Sequence, residues 1–183
     1  MGEMLQIRLS GSGGQGLILA ARILAAALVA AGRRVAQSQS YEPTSRGGLS
    51  RADLVVTDAL ADYPLVTALD YLVILDQRAV EVSRGLIGEH STVLCDRKKV
   101  TAPPSGRFAL SLLPLWDTAR ELGNPRAANI VALGALAVCG DFMPAGLLRE
   151  KVVSLAPSRF RERNAEAFDA GLELAAGGGR IAV

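Results

Sequence analysis

The stretch Ser10-Gly11-Ser12-Gly13-Gly14-Gln15-Gly16 holds the residues best placed to do chemistry in this chain. Gly11, Gly13 and Gly16 satisfy Gly-x-Gly-x-x-Gly between an expected strand and an expected helix, which is the context that gives the motif meaning. Glycines permit positive φ and close backbone approach, and a helix start offers N–H groups and the positive end of a dipole to an anion. The loop could therefore receive an anionic group or a closely docked partner, or its glycines could only tighten a strand–helix turn. A dinucleotide site also needs an Asp or Glu at the end of the second strand to hold the ribose. Gln37-Ser38-Gln39 occupies that region, and the first acid is Glu42 in the loop beyond. A Walker A loop needs Lys and then Ser or Thr after its last glycine, where this chain has Leu17 and Ile18. The second constellation is Tyr41-Glu42-Pro43 with Ser45-Arg46-Gly47-Gly48. It follows the second expected strand, so a parallel sheet would bring Arg46, Gly47 and Gly48 to the same carboxyl edge as the first loop, where ligands bind. An exposed, solvated loop with an incidental arginine is the competing reading.

Elsewhere the chain is poor in reactive groups. His90 is the single histidine, in the expected turn Gly88-Glu89-His90-Ser91, and reads as a surface residue. Cys95 and Cys139 lie in apolar surroundings and read as inert thiols. Asp53, Asp58, Asp70 and Asp76 recur at expected strand ends, where caps and acid–base groups look alike. Arg159, Arg161 and Arg163, with Glu162 and Glu166, read as a solvated or subunit-facing helix stripe. No catalytic residue and no metal ligand is assigned, because zinc and iron–sulfur sites need clustered Cys and His.

The elements that must position the loops follow from periodicity. Leu5–Leu9, Val35–Ser38, Ala52–Thr57, Tyr71–Asp76, Thr92–Cys95 and Phe108–Leu112 read as strands, the fourth as a continuous apolar run suited to burial on both faces. Leu17–Ala31, followed by Gly32, reads as the first helix. Gln77–Ile87 reads as the next, and further helices are expected near 117–122, 127–138, 145–153 and 159–175. Gly177-Gly178-Gly179 should end the last helix and begin a mobile tail. The expectation is an α/β fold, a single Rossmann-like domain over 1–183 (core about 6–175), with a mostly parallel sheet and a helical C-terminal third. Half of the 183 residues are hydrophobic (50%) and 21% are charged, which fits a folded chain and excludes a disordered one. A net charge of +2 with scattered basic residues argues against nucleic acid as partner. The longest apolar runs fall short of a membrane span of about 20 residues. Reduced cysteines and an N-terminus without signal-peptide character suggest the cytoplasm.

Taken together, Gly11-Ser12-Gly13-Gly14-Gln15-Gly16, the Ala-rich helix after it, Tyr41-Glu42-Pro43, Arg46-Gly47-Gly48 and Val56-Thr57-Asp58 resemble the gamma subunit of 2-oxoacid:ferredoxin oxidoreductases. The similarity continues through Leu69-Asp70, Leu75-Asp76-Gln77 and Asn129, Leu133 and Gly134, from about Gln6 to Ala175. The resemblance implies a subunit of a hetero-oligomer that converts a 2-oxoacid and CoA to an acyl-CoA and carbon dioxide while reducing ferredoxin. It implies thiamine diphosphate, Mg2+, Fe–S clusters and CoA as cofactors of the complex, and alpha and beta thiamine diphosphate-binding subunits with an Fe–S or ferredoxin partner. The chain itself would carry no cofactor, since its nearest stretch to a thiamine diphosphate motif is Gly140-Asp141-Phe142. Gly11, Ser12, Gly13, Gly14, Gln15, Gly16, Arg46, Gly47 and Gly48 would then be cofactor-binding or subunit-interface residues. The pattern is nearest the 2-oxoglutarate type. Pyruvate, branched-chain, indolepyruvate and arylglyoxylate types stay open, as does a stand-alone nucleotide-binding Rossmann protein.

Overall fold

The computed structural model describes residues 4–42, 47–58, 64–177 and 180–182. Arg46, and with it Pro43 to Ser45, lies outside them. Seven strands form one sheet: β1 (Leu5–Ser12), β2 (Arg34–Tyr41), β3 (Leu49–Thr57), β4 (Leu69–Ile74), β5 (Ile87–Asp96), β6 (Ala109–Leu113) and β7 (Arg180–Ala182). The helices are α1 (Leu17–Ala30), α2 (Glu81–Arg84), α3 (Leu115–Glu121), α4 (Ala128–Cys139), α5 (Ala145–Ser154) and α6 (Arg161–Ala176). The strand order is β2-β3-β1-β4-β5-β6-β7. Its centre, β1-β4-β5-β6, is parallel throughout, while β2, β3 and β7 add antiparallel edges.

The parallel centre is apolar on both faces, as the unbroken run in β4 requires. On one face Ile7, Leu9, Leu54, Val73 and Leu94 pack under α1, α4, α5 and α6 in the larger core. On the other, Val55, Leu72, Ile74, Val93 and Cys95 share a smaller core with Val66, Ala79, Val80, Val100 and Leu110. The two covers are therefore unequal, with the long helices on one side.

The thin side carries the buried ion pair of the molecule. Arg8 and Asp53 face each other directly across the β1–β3 ladder, and the guanidinium is held by both carboxylate oxygens at 2.7 and 2.8 Å. Arg8 also donates to Ser83 Oγ and the Val82 carbonyl at 3.3 Å, so α2 completes its shell. A buried pair of this kind is held by such additional bonds, because removing either partner strands a charge. Asp53 is thus a mid-strand structural anion rather than a residue at a strand end.

The helical layer depends on close approach. Gly134 in α4 and Gly171 in α6 face each other's helix so tightly that a Cβ at Gly134 would lie 2.1 Å from the Phe168 carbonyl oxygen. One at Gly171 would lie 2.1 Å from the Val131 carbonyl oxygen. Between them the fully buried Phe168 ring joins the main core.

Three expectations are corrected. Gln77–Ile87 is not one helix but a 3-10 turn over Gln77–Ala79 followed by the single turn of α2, after which the chain enters β5. Gly88-Glu89-His90-Ser91 is accordingly part of β5, not a turn, with the Ser91 hydroxyl donating to the Leu69 carbonyl and accepting from Gly88 N–H. Beyond the last helix, Arg180–Ala182 pairs with Ala109–Ser111 as an edge strand where a mobile tail was expected.

Candidate functional site

The β1–α1 loop is closed by its own glutamine. Gln15 folds back so that its Oε1 accepts from Ser12 N–H at 2.7 Å, and its Nε2 donates to the Leu75 carbonyl at 2.9 Å. One side chain thus binds the turn after β1 to the end of β4, its parallel neighbour in the sheet. Gly11 makes room for this, since a Cβ there would sit 2.2 Å from Gln15 Oε1. Gly14 and Gly16 adopt φ of 90° and 72°, a region that disfavours any side chain. Gly16 is further confined by Asn129, which projects from the start of α4 and donates from Nδ2 to the Gly16 carbonyl at 2.9 Å. The loop therefore delivers the start of α1, a helix of 14 residues, to the carboxyl edge with its first N–H groups directed outward.

Gly47 and Gly48 do converge on this loop. Gly13 N–H donates to the Gly48 carbonyl at 2.8 Å, and Arg78 Nη1 donates to the Gly47 carbonyl. Arg78 comes from the turn after β4, where the Asp76 carboxylate accepts from its backbone N–H at 3.1 Å. The expected meeting of the two glycine loops is thus present for Gly11 to Gly16, Gly47 and Gly48. Arg46 falls outside the described residues.

Gly13 differs from its neighbours. It has no positive φ, and a Cβ there would meet the Gly48 carbonyl at an ordinary 3.6 Å. Nothing among the described residues requires a glycine at this position.

The dinucleotide requirement fails in space as well as in sequence. β3 lies between β1 and β2, so the end of β2 stands two strand spacings, roughly 10 Å, from β1 rather than one. Glu42, the first available acid, instead closes the β2–β3 connection by accepting from Leu49 N–H at 3.0 Å.

Beside the loop lies a cavity of about 280 Å³ bordered by Ser12, Gln15, Asp76, Lys99, Trp116 and Arg126. Its far wall is built by Asp96, whose Oδ1 accepts from the N–H groups of Lys98 and Lys99 and whose Oδ2 accepts from Trp116 N–H at 2.6 Å. This turn sets the ammonium groups of Lys98 and Lys99 each 4.5 Å from the centre of the Trp116 ring, with the Arg120 guanidinium at 5.6 Å. Asp117 answers part of that charge, and its hydrogen bond from Lys98 holds its carboxyl below the usual range. The sequence signal for this wall was an acid at a strand end before three basic residues, an Asx-turn pattern. Arg78 left no comparable trace.

The other reactive groups stand apart from this edge. His90 is exposed on β5. Cys95 is buried, and desolvation, reinforced by the neighbouring Asp96 charge, pushes its thiol up to about 12, so it is no nucleophile near neutrality. Asp58 pairs with Arg33 at 2.6 Å, and Asp70 accepts from Gln6 N–H at 2.7 Å. Asp141, in the stretch Gly140–Phe142, is exposed beyond the end of α4. Among the described residues no three His, Cys, Asp or Glu gather in a way that could hold a metal ion. Among them, too, no helix is long and apolar enough to cross a membrane.

These features define an α/β chain whose carboxyl edge gathers glycines, backbone amides, the cations Lys99 and Arg126, and Asp76. The chain matches the family model described as pyruvate ferredoxin/flavodoxin oxidoreductase over residues 6–174. It is 37% identical to the 2-oxoglutarate synthase subunit KorC of Archaeoglobus fulgidus, over 95% of this chain and 89% of that protein. It is 31% identical to the ketoisovalerate oxidoreductase subunit VorA of Methanothermobacter thermautotrophicus, but over 74% of this chain and only 28% of that longer protein. Among solved structures, the gamma subunit of the keto/oxoacid ferredoxin oxidoreductase of Geobacter sulfurreducens superposes with a TM-score of 0.88 at 34% identity, covering 98% of this chain and 99% of that one. The chain belongs to this family, as a gamma subunit of 2-oxoacid:ferredoxin oxidoreductase closely related to the KorC subunits.

Proposed function

We propose that the chain is the gamma subunit of a cytoplasmic complex that oxidises 2-oxoglutarate with CoA to an acyl-CoA and carbon dioxide, passing the electrons to ferredoxin. The supporting observation is the likeness to the KorC relatives, subunits of 2-oxoglutarate synthase, which reach 37% identity over 95% of this chain, against 31% over 74% for the ketoisovalerate relative. Thiamine diphosphate, Mg2+ and Fe–S clusters would belong to the alpha and beta subunits and an Fe–S partner. Coexpression with those subunits tests this reading. The assembled complex should reduce a viologen acceptor fastest with 2-oxoglutarate, in a strictly CoA-dependent way. Preference for pyruvate or a branched-chain 2-oxoacid would overturn the substrate, and failure to co-assemble would overturn the role.

In that complex the carboxyl edge, Gly11 to Gly16 with Arg46, Gly47 and Gly48, faces the catalytic subunits and helps place an anionic group, the phosphates of CoA. Two features support this. Ser12, Gly14 and Gln15 of the glycine loop and the cations Lys99 and Arg126 border one cavity, together with Asp76. Gly13, open to the outside, is a glycine that the chain's own packing does not demand. Replacing Arg46 by Ala should raise the Michaelis constant for CoA, and an unchanged constant would reduce these loops to scaffolding.

A further inference from the structure

The glycine loop borders a second concavity, on the helical side. It is a groove of about 480 Å³ between α1, the start of α4 and the α5–α6 connection. Its floor is the buried side chains of Ile23 and Ile130. Its rim is apolar and open to solvent, with Leu19 46%, Leu155 50% and Phe160 36% exposed. Three large apolar side chains from two separate segments, α1 and the α5–α6 connection, thus converge around one depression, and a contiguous apolar patch of this kind marks an interaction surface.

Charge specifies what could cover it. Arg126 stands in the wall between this groove and the cavity at the carboxyl edge, and the Arg159 guanidinium lies 4.7 Å over the Phe160 ring. Among the described residues no carboxylate lines the groove; its remaining polar side chains are the amides of Asn124, Asn129 and Asn164. Two copies of this chain docked groove to groove would bring like-charged arginines together, which opposes self-association. Resting on the assignment of this chain as a gamma subunit, we infer that the groove is a docking site for an apolar segment of a partner subunit, one whose apolar side chains are flanked by Asp or Glu. Leu19 and Phe160 would be its apolar anchors and Arg126 its charged one, in the way aromatic and arginine residues dominate interfaces.

The test uses the coexpressed complex. Leu19→Glu and Phe160→Glu each set a carboxylate in the groove at an exposed position, so the isolated chain should keep the wild-type Tm, while its affinity for the partner subunits falls about tenfold or more. Leu19→Met should assemble normally. Arg126→Glu should weaken assembly and also flatten its dependence on ionic strength, since the wild-type contact is screened by salt. Wild-type affinity in both glutamate variants would overturn the inference. So would a homodimer of the free chain that Leu19→Glu dissolves, because the occupant would then be a second copy. If the wild-type chain itself does not co-assemble, the fault lies in the gamma-subunit reading; if it does while the variants match it, the fault lies in the groove alone.

Discussion

The α4–α6 crossing and the β1–α1 loop both depend on glycine, for opposite reasons. At the crossing, Gly134 and Gly171 are glycines because another backbone already occupies the space a Cβ would take. In the loop, Gly14 and Gly16 are glycines because of their positive φ, and among the described residues neither space nor φ explains Gly13. A glycine demanded from inside belongs to the fold, whereas one that the fold would let go points outward. The first region builds the domain and the second presents it.

The largest expected effect breaks the first half of that contrast. Gly134→Ala or Gly171→Ala must push two helices apart at a backbone contact, and should destabilise the chain by about 2–3 kcal/mol in a denaturant titration, toward the upper end for overpacked cores. Gly146 in α5 is the control. It meets nothing within 4 Å and has no positive φ, so Gly146→Ala should raise stability by roughly 0.5–1 kcal/mol. Equal gains at Gly134 and Gly146 would mean that helix propensity, not close approach, sets the effect.

A smaller effect tests the rim of the same helical layer. Arg149 on α5 holds both Asp169 oxygens at 2.7 Å, and this hydrogen bond keeps the Asp169 carboxyl below its ordinary range. Both side chains are more than a third exposed, so the pair is worth at most about 1 kcal/mol. Because the folded-state pKa is lowered, that contribution is complete above the unfolded carboxylate value of about 4 and is lost as pH falls through the folded value. Asp169→Asn should therefore lower Tm slightly at pH 7 and converge with wild type in acid. A constant difference down to pH 2 would contradict the sign.

The sequence carried the packed region and part of the presenting one. Apolar periodicity and the stops at Gly32 and Gly177 were enough to place α1 and α4 to α6. The glycine loop was legible because its residues, and Gln15 among them, are close in sequence. What was not legible depends on pairing between distant segments. Nothing local in β3 shows that it inserts between β1 and β2, and the three residues of β7 have no period to read. Gly85 and Gly88, with the exposed residues between Ile87 and Ser91, turned an expected helix into one helical turn and a strand extension. Arg78 and the Asp96 turn join the site only through contacts made after folding.

The central claim, that the glycine loop is shaped for something outside the chain, is tested most directly at Gly13. In the complex assembled with its partner subunits, Gly13→Ala should leave the Tm of the isolated chain unchanged, because the added methyl meets only ordinary contacts. The same variant should lower kcat/KM for CoA, or weaken assembly, by about tenfold, as expected where a docked group loses close approach to the backbone. If Gly13→Ala assembles and turns over as wild type does, the loop serves only its own fold.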